Sequence, residues 1–136
     1  MEPATIQDRR KRILVVEDEA KIAAVLKLGL EASGYEVHAE DCGRTGLCWA
    51  LEHQPDLVIL DVKLPDISGY DVCRELRKLH HSWTLPIMMV TAMDQPIDQL
   101  RGFGYGADAY LTKPFEIPEV VDTVALLLGP PATAAS

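Results

Sequence analysis

The sequence has 136 residues, of which 48% are hydrophobic, and a formal net charge of −8 at pH 7. That length supports one compact core and excludes two ordinary domains. An acidic chain repels phosphate groups, so direct binding to nucleic acid or to an anionic membrane is not expected. No apolar run approaches the roughly 20 residues of a membrane-spanning helix, and no signal-peptide core follows the charged N-terminus. We therefore expect one cytoplasmic domain.

Short apolar runs alternate with amphipathic segments along the chain. The predicted strands are 13–16, 35–39, 57–60, 87–90 and 109–111, and the predicted helices are about 22–30, 44–53, 72–79, 96–105 and 118–128. The fourth helix should be the least stable, because Gly102 and Gly104 each cost about 1 kcal/mol relative to Ala. Five alternations predict an α/β doubly wound fold with a parallel sheet between two helical layers. Residues 11–128 should form the domain, after a flexible lead-in at 1–10 and before a disordered tail at 129–136.

Polar residues stand where three buried strands end. Glu17 and Asp18 follow the first strand, Asp61 follows the third, and Thr91 follows the fourth. In open parallel sheets, ligands bind at the carboxyl ends of the strands, where the strand order reverses. If that order is 2-1-3-4-5, the three carboxylates converge on one cleft and require a cation. An all-oxygen set with room for water suits Mg²⁺ or Mn²⁺ better than zinc or copper.

A carboxylate beside Mg²⁺ can act as a nucleophile toward phosphorus. Phosphoryl transfer depends mainly on positioning and charge neutralisation, so the site also needs a fixed cation and a hydroxyl donor. Lys113 and Thr91 lie just past strand ends, on the same edge of the predicted sheet as Asp61. These residues together predict a site that forms an aspartyl phosphate at Asp61.

Four segments resemble the receiver domains of response regulators in two-component signalling, over about residues 11–128. They are ILVVEDE, DLVILDVKLPDISG, the Thr91-Ala92 pair and GADAYLTKPF. The resemblance implies a flavodoxin-like fold with strand order 2-1-3-4-5 and five helices. It also implies roles for individual residues, namely Asp61 as phosphoacceptor, Glu17 and Asp18 as the acidic pair, the Lys63 carbonyl as a further metal ligand, Lys113 as the phosphate-binding lysine, Thr91 and Tyr110 as the switch residues, and Lys113-Pro114 as a cis peptide bond.

The same resemblance implies partners and an output surface. A sensor histidine kinase or a histidine phosphotransfer protein would supply the phosphoryl group. The face built from the fourth helix, the fifth strand and the last helix would respond, with a homodimer through that face as one outcome. Thr123 and Ala125 occupy places where arginine is common in winged-helix relatives, which disfavours a dimer held by charged contacts. The downstream partner is not indicated.

Two other functions are compatible with parts of this pattern. A phosphatase of the aspartyl-phosphate type would need a second acid two residues after the nucleophile, where this chain has Lys63. A receiver-like scaffold that is not phosphorylated would be expected to have lost an acid, the threonine or the lysine. The favoured interpretation is a signalling domain that catalyses only its own phosphorylation and dephosphorylation.

The remaining candidate motifs indicate no site. The three cysteines form no CxxC pair, and their odd number favours free thiols. The glycine-rich segment 102–106 lies at a helix end, whereas a phosphate-binding loop needs its glycines between a strand and the following helix. The histidines and tryptophans lack metal-ligand spacing and are interpreted as surface or packing residues; they are His38, His53, His80, His81, Trp49 and Trp83.

Overall fold

The computed structural model describes residues 10–79 and 85–129. The strands are β1 (Arg12–Val16), β2 (Glu36–Glu40), β3 (Leu57–Leu60), β4 (Ile87–Thr91) and β5 (Ala109–Thr112). The helices are α1 (Ala20–Ala32), α2 (Gly43–His53), α3 (Gly69–Leu79), α4 (Pro96–Gly104) and α5 (Ile117–Leu128). This alternation confirms the predicted fold class. Nearly all of the predicted lead-in and tail, together with His80, His81 and Trp83, lie outside the described residues.

The five strands form one parallel sheet in the order β2-β1-β3-β4-β5, as predicted. Ile13 of β1 pairs with Val37 of β2 on one side and with Leu57 of β3 on the other. β2 therefore lies on one side of β1, and β3, β4 and β5 follow in order on its other side. The carboxyl ends of β1 and β3 flank this reversal, which is where open parallel sheets bind their ligands.

The central strands are buried on both faces. In β1, Ile13 and Val15 pack with residues of α1 and α5, whereas Leu14 and Val16 pack with residues of α2 and α3. Successive side chains of a strand point to opposite faces, so a covered sheet needs an unbroken apolar run instead of an alternating one. The run ILVV in β1 meets this requirement, and it places the first polar residue at the strand end.

The helices of the described region are short, and the longest, α1, has 13 residues. None of them combines the length and apolarity that a bilayer crossing requires. Helices α1, α2, α4 and α5 are each followed, within two residues, by a residue with a positive φ. Gly34, with φ of 104°, follows α1, and Gln54, with φ of 48°, follows α2. Gly34 has no β-carbon to oppose this conformation, so the chain can leave α1 at this point without strain.

Candidate functional site

Four candidate residues lie at the carboxyl ends of neighbouring strands. Glu17 follows β1, Asp61 follows β3, Thr91 ends β4 and Lys113 follows β5. Hydrogen bonds between strands continue at this edge. The Asp61 N–H donates to the Val16 carbonyl at 3.1 Å, and the Lys113 N–H donates to the Thr91 carbonyl at 2.8 Å. The sheet therefore fixes the backbone from which these side chains project.

The Lys113 ammonium group is the centre of the site. Its Nζ lies 2.9 Å from Asp61 Oδ2, 2.9 Å from Glu17 Oε1 and 3.2 Å from Glu19 Oε1. The side chains of Glu17 and Asp61 are only 2% and 6% exposed, whereas that of Glu19 is 61% exposed. One largely buried ammonium group is thus shared by two buried carboxylates and one exposed carboxylate.

The electrostatics of this group favour an additional cation. Burial raises the pKa of the Glu17 carboxyl above its ordinary value, and the hydrogen bond from Lys113 opposes that shift. Burial alone would lower the pKa of the Lys113 ammonium, but hydrogen bonds to Glu17 and Asp61 outweigh it and raise the pKa. The lysine therefore stays protonated. Because carboxylates still outnumber the single lysine, the site keeps a negative charge that a divalent ion would offset.

Three carboxylates of the described residues are placed to share a metal ion. Glu17, Glu19 and Asp61 each offer one oxygen, and these oxygens all lie within 4.8 Å of one another. Such an all-oxygen set suits Mg²⁺ or Mn²⁺. Asp18 is exposed and lies outside this group, although it borders an adjoining cleft together with Glu17 and Glu40. Asp18 as a metal ligand therefore stays a prediction. Glu19 was missed, although it stands in the same ILVVEDE segment.

The loop after β3 shapes the surroundings of Asp61. The Lys63 N–H donates to Asp61 Oδ1 at 3.3 Å, while the Lys63 side chain is exposed. The Gly69 N–H donates to the Val62 carbonyl at 2.8 Å, and a β-carbon at Gly69 would collide with the backbone carbonyl of Asp61. Glycine is therefore required where the loop turns back past Asp61. The predicted metal contact of the Lys63 carbonyl stays a prediction.

Asp66 ties the same loop to α2. Its two carboxylate oxygens each accept a hydrogen bond at 2.8 Å, from the N–H groups of Gly43 and Arg44 at the start of that helix. Partial desolvation raises the pKa of Asp66, but the hydrogen bonds from Arg44 and Gly43 outweigh it and lower the pKa to about 2. The first N–H groups of a helix lack partners within the helix, so Asp66 supplies them from a different part of the chain.

Thr91 and Tyr110 meet around the segment that follows β4. Thr91 is buried, and its hydroxyl accepts a hydrogen bond from the Met93 N–H at 3.4 Å. The Tyr110 hydroxyl donates to the Met93 carbonyl at 2.8 Å, and its ring packs against the core. Burial is the main cause that raises the pKa of Tyr110, so its hydroxyl remains a donor. Both predicted switch residues therefore form a hydrogen bond with the backbone of Met93.

Other predicted features have clear positions. The Lys113-Pro114 peptide bond is cis. Cys42, Cys48 and Cys73 are free thiols, and burial raises the pKa of Cys73 to about 11. The imidazole rings of His38 and His53 stack on the Trp49 ring, each with ring centroids 4.3 Å apart. His38, Trp49 and His53 pack with one another, and His38 also pairs with the Glu40 carboxylate.

Comparison with known proteins identifies the class. Residues 13–125 match the family model of the response regulator receiver domain. The chain belongs to this family. It is a phosphorylation-dependent receiver of two-component signalling, which agrees with the sheet order and with the acidic site at the β1–β3 reversal.

Individual relatives are similar over the same region. The chain is 43% identical over 118 residues to the alkaline phosphatase synthesis transcriptional regulatory protein PhoP of Bacillus subtilis, covering 87% of this chain and 48% of PhoP. It is 40% identical over 117 residues to the DNA-binding dual master transcriptional regulator RpaA of Synechocystis, covering 86% of this chain and 48% of RpaA. It thus spans about half the length of these curated relatives.

The fold is also similar to solved receiver structures. The BeF3-activated N-terminal receiver domain of RstA from Klebsiella pneumoniae superposes with a TM-score of 0.81 and 27% sequence identity, covering 87% of this chain and 98% of that one. The similarity therefore extends over most of the chain.

Proposed function

We propose that Asp61 accepts a phosphoryl group from the phosphohistidine of a sensor histidine kinase or a histidine phosphotransfer protein. The observation that carries this proposal is the buried Asp61 carboxylate, 2.9 Å from the Lys113 ammonium and beside Glu17. A carboxylate in this position can attack phosphorus, while the fixed lysine offsets charge on the transferred group. The domain would thereby modify only itself and turn over no independent substrate.

The metal ligands in this proposal are the carboxylates of Glu17, Asp18 and Asp61 with the Lys63 carbonyl. A bound Mg²⁺ or Mn²⁺ would supply neutralisation of the phosphoryl oxygens. Asp18 is included because it borders the cleft beside Glu17, and its carboxylate is not among the three that pair with Lys113 in the described residues. Lys113 stays protonated and keeps the carboxylates of Glu17 and Asp61 in place by pairing with both.

The signal would leave through α4, β5 and α5. A phosphoryl group on Asp61 offers the Thr91 hydroxyl a charge-assisted hydrogen bond, and Tyr110 shares its backbone contact at Met93. On α4, Ile97, Leu100 and Phe103 recur every third residue and are 57%, 67% and 46% exposed. An exposed apolar helix face is suited to a protein partner or to a second copy of the domain.

The curated relatives indicate the kind of output that this receiver would control. PhoP and RpaA are described as transcriptional regulators, and the chain matches about half of each. We therefore propose that this receiver controls a regulatory output, as in those proteins. The phosphatase alternative gains no support, because Lys63 occupies the place where that class needs its second acid.

Phosphorylation can be tested with acetyl phosphate or a phosphohistidine donor in the presence of Mg²⁺. Intact-mass measurement should show one added phosphoryl group, and Asp61→Asn should abolish it. Asp56→Asn is the matched control, because Asp56 precedes the same strand at the opposite sheet edge, where it accepts a hydrogen bond from the Arg12 N–H at 2.7 Å. Asp56→Asn should be labelled like the unmodified protein, and undiminished labelling of Asp61→Asn would overturn the assignment.

A further inference from the structure

Gly102 of α4 lies directly against the ring of Tyr110. A β-carbon at this position would be 2.9 Å from Tyr110 Cδ2, 3.0 Å from Tyr110 Cε2 and 3.1 Å from the Met89 sulfur. These distances are shorter than ordinary carbon contacts of about 3.5–4.0 Å. Met89 is fully buried in β4, so it has little room to yield. A side chain at Gly102 would therefore displace the tyrosine ring.

The ring of Tyr110 is held on its other sides as well. Its hydroxyl is fixed by the Met93 carbonyl at 2.8 Å, and Phe103 lies beside it with ring centroids 6.4 Å apart. Movement of the ring away from position 102 would strain the Met93 hydrogen bond and the contact with Phe103. The Tyr110 ring can therefore occupy this position only because residue 102 has no side chain.

We propose that Gly102 is a positioning residue of the switch, because its missing side chain creates the space in which the Tyr110 ring reaches the Met93 carbonyl. Glycine is a poor helix former compared with alanine, so α4 is locally less stable because of this space. The position requires no unusual backbone, since Gly102 does not have a positive φ. The inference rests on the proposed function of Tyr110 as a switch residue.

Gly104, in the same helix, provides a matched control. A β-carbon there would meet no atom within 4 Å among the described residues, and its φ is not positive either. Gly102→Ala and Gly104→Ala therefore make the same chemical change in one helix, and they differ in whether the new methyl group meets Tyr110. Gly104→Ala should stabilise the protein by restricting the unfolded chain.

The first test places 3-fluorotyrosine at the four tyrosines and follows Tyr110 by ¹⁹F NMR, with Tyr110→Phe used to assign its resonance. Gly102→Ala should move this resonance toward that of a solvent-exposed tyrosine. Gly104→Ala should leave it at the chemical shift found in the labelled protein without substitutions. A Gly102→Ala resonance at the unmodified position would overturn the proposal. The readout requires no phosphorylation, so it stays interpretable if Asp61 proves not to be the acceptor.

A second measurement guards against a general loss of folding. Gly102→Ala should lower the urea midpoint when Tyr110 is present and raise it in a Tyr110→Ala background, where the ring no longer opposes the methyl group. The reversal of sign is specific to contact between positions 102 and 110. The same direction of change in both backgrounds would show that the added methyl group does not act through Tyr110 and would refute the positioning role of Gly102.

Discussion

Replacing Arg77 with alanine should destabilise the domain far more than its position on a helix surface suggests. Its Nη1 donates to the Leu85 carbonyl at 2.6 Å, and its Nε and Nη2 donate to the Gly106 carbonyl at 3.1 and 2.6 Å. Nη2 also pairs with Asp108 Oδ2 at 2.8 Å. One side chain of α3 therefore ties the segment before β4 to the turn between α4 and β5.

The size of the loss follows from the groups left without a partner. Two backbone carbonyls would each cost about 1 kcal/mol, at the low end for a lost charged donor because the Arg77 side chain is 31% exposed. Its aliphatic stem packs against Gly106 and adds about 1 kcal/mol of lost burial. The ion pair with Asp108 is half exposed and contributes little. The free energy of unfolding should fall by about 3 kcal/mol in total.

Urea denaturation and thermal unfolding measure this loss directly. A decrease of about 3 kcal/mol corresponds to a midpoint shift of about 1.5 M urea for an m-value of about 2 kcal/mol/M, and to a fall in Tm of roughly 10 °C. Arg74→Ala is the matched control in the same helix. Arg74 is 50% exposed and pairs with Asp71 three residues away, so its loss should cost about 1 kcal/mol or less.

The prediction is tested by comparing the stability lost in Arg77→Ala with that lost in Arg74→Ala. If Arg77→Ala loses no more stability than Arg74→Ala, the hydrogen bonds to the two carbonyls do not stabilise the domain as argued. Arg77→Lys should lie between the unmodified protein and the alanine variant, because a lysine retains the stem and charge but cannot reproduce the planar fork.

Three further predictions follow from side chains described above or from burial. The Tyr35 hydroxyl is buried and has no hydrogen-bond partner within the described ranges, so Tyr35→Phe should raise the free energy of unfolding by about 1 kcal/mol in urea; a decrease would reveal a hidden partner. In Mg²⁺ titrations followed by NMR, Asp18→Ala should remove most of the response and Glu19→Gln should leave it largely intact; the reverse order would assign the ligand to Glu19. The pKa of Asp66 is lowered to about 2, so its stabilising effect is present above its ordinary pKa and is lost as the pH falls through the folded value. The difference in Tm between the unmodified protein and Asp66→Ala should shrink on acidification, and a constant difference would refute this linkage.

The sequence was most informative where one physical rule controls position. Unbroken apolar runs predicted the buried strands, and the polar residue that ends each run predicted the site edge. Glu17, Asp61 and Lys113 could be anticipated together because the carboxyl ends of parallel strands must share an edge. The sheet order and the family were both confirmed.

Contacts that depend on the reach of a side chain could not be anticipated in this way. Glu19 joins Lys113 through a flexible carboxylate, and nothing in its spacing distinguished it from Asp18. Arg77 has the sequence pattern of a solvated helix residue, and its hydrogen bonds become evident only once the turn at Gly106 is placed in space. Differences of a few tenths of an ångström in packing distance decide the fit between Gly102 and Tyr110, and the periodicity of the sequence does not encode them.

The strand order also fixes when the site becomes complete during synthesis. Lys113 follows Glu19 by 94 positions and Asp61 by 52, so the carboxylates leave the ribosome well before the ammonium group that they share. A nascent chain that has formed β1 to β4 holds its acidic residues without their lysine, and repulsion among them opposes compaction. The edge strand β5 brings that lysine to the site as it docks, so completion of the sheet and partial neutralisation of the site occur in a single step.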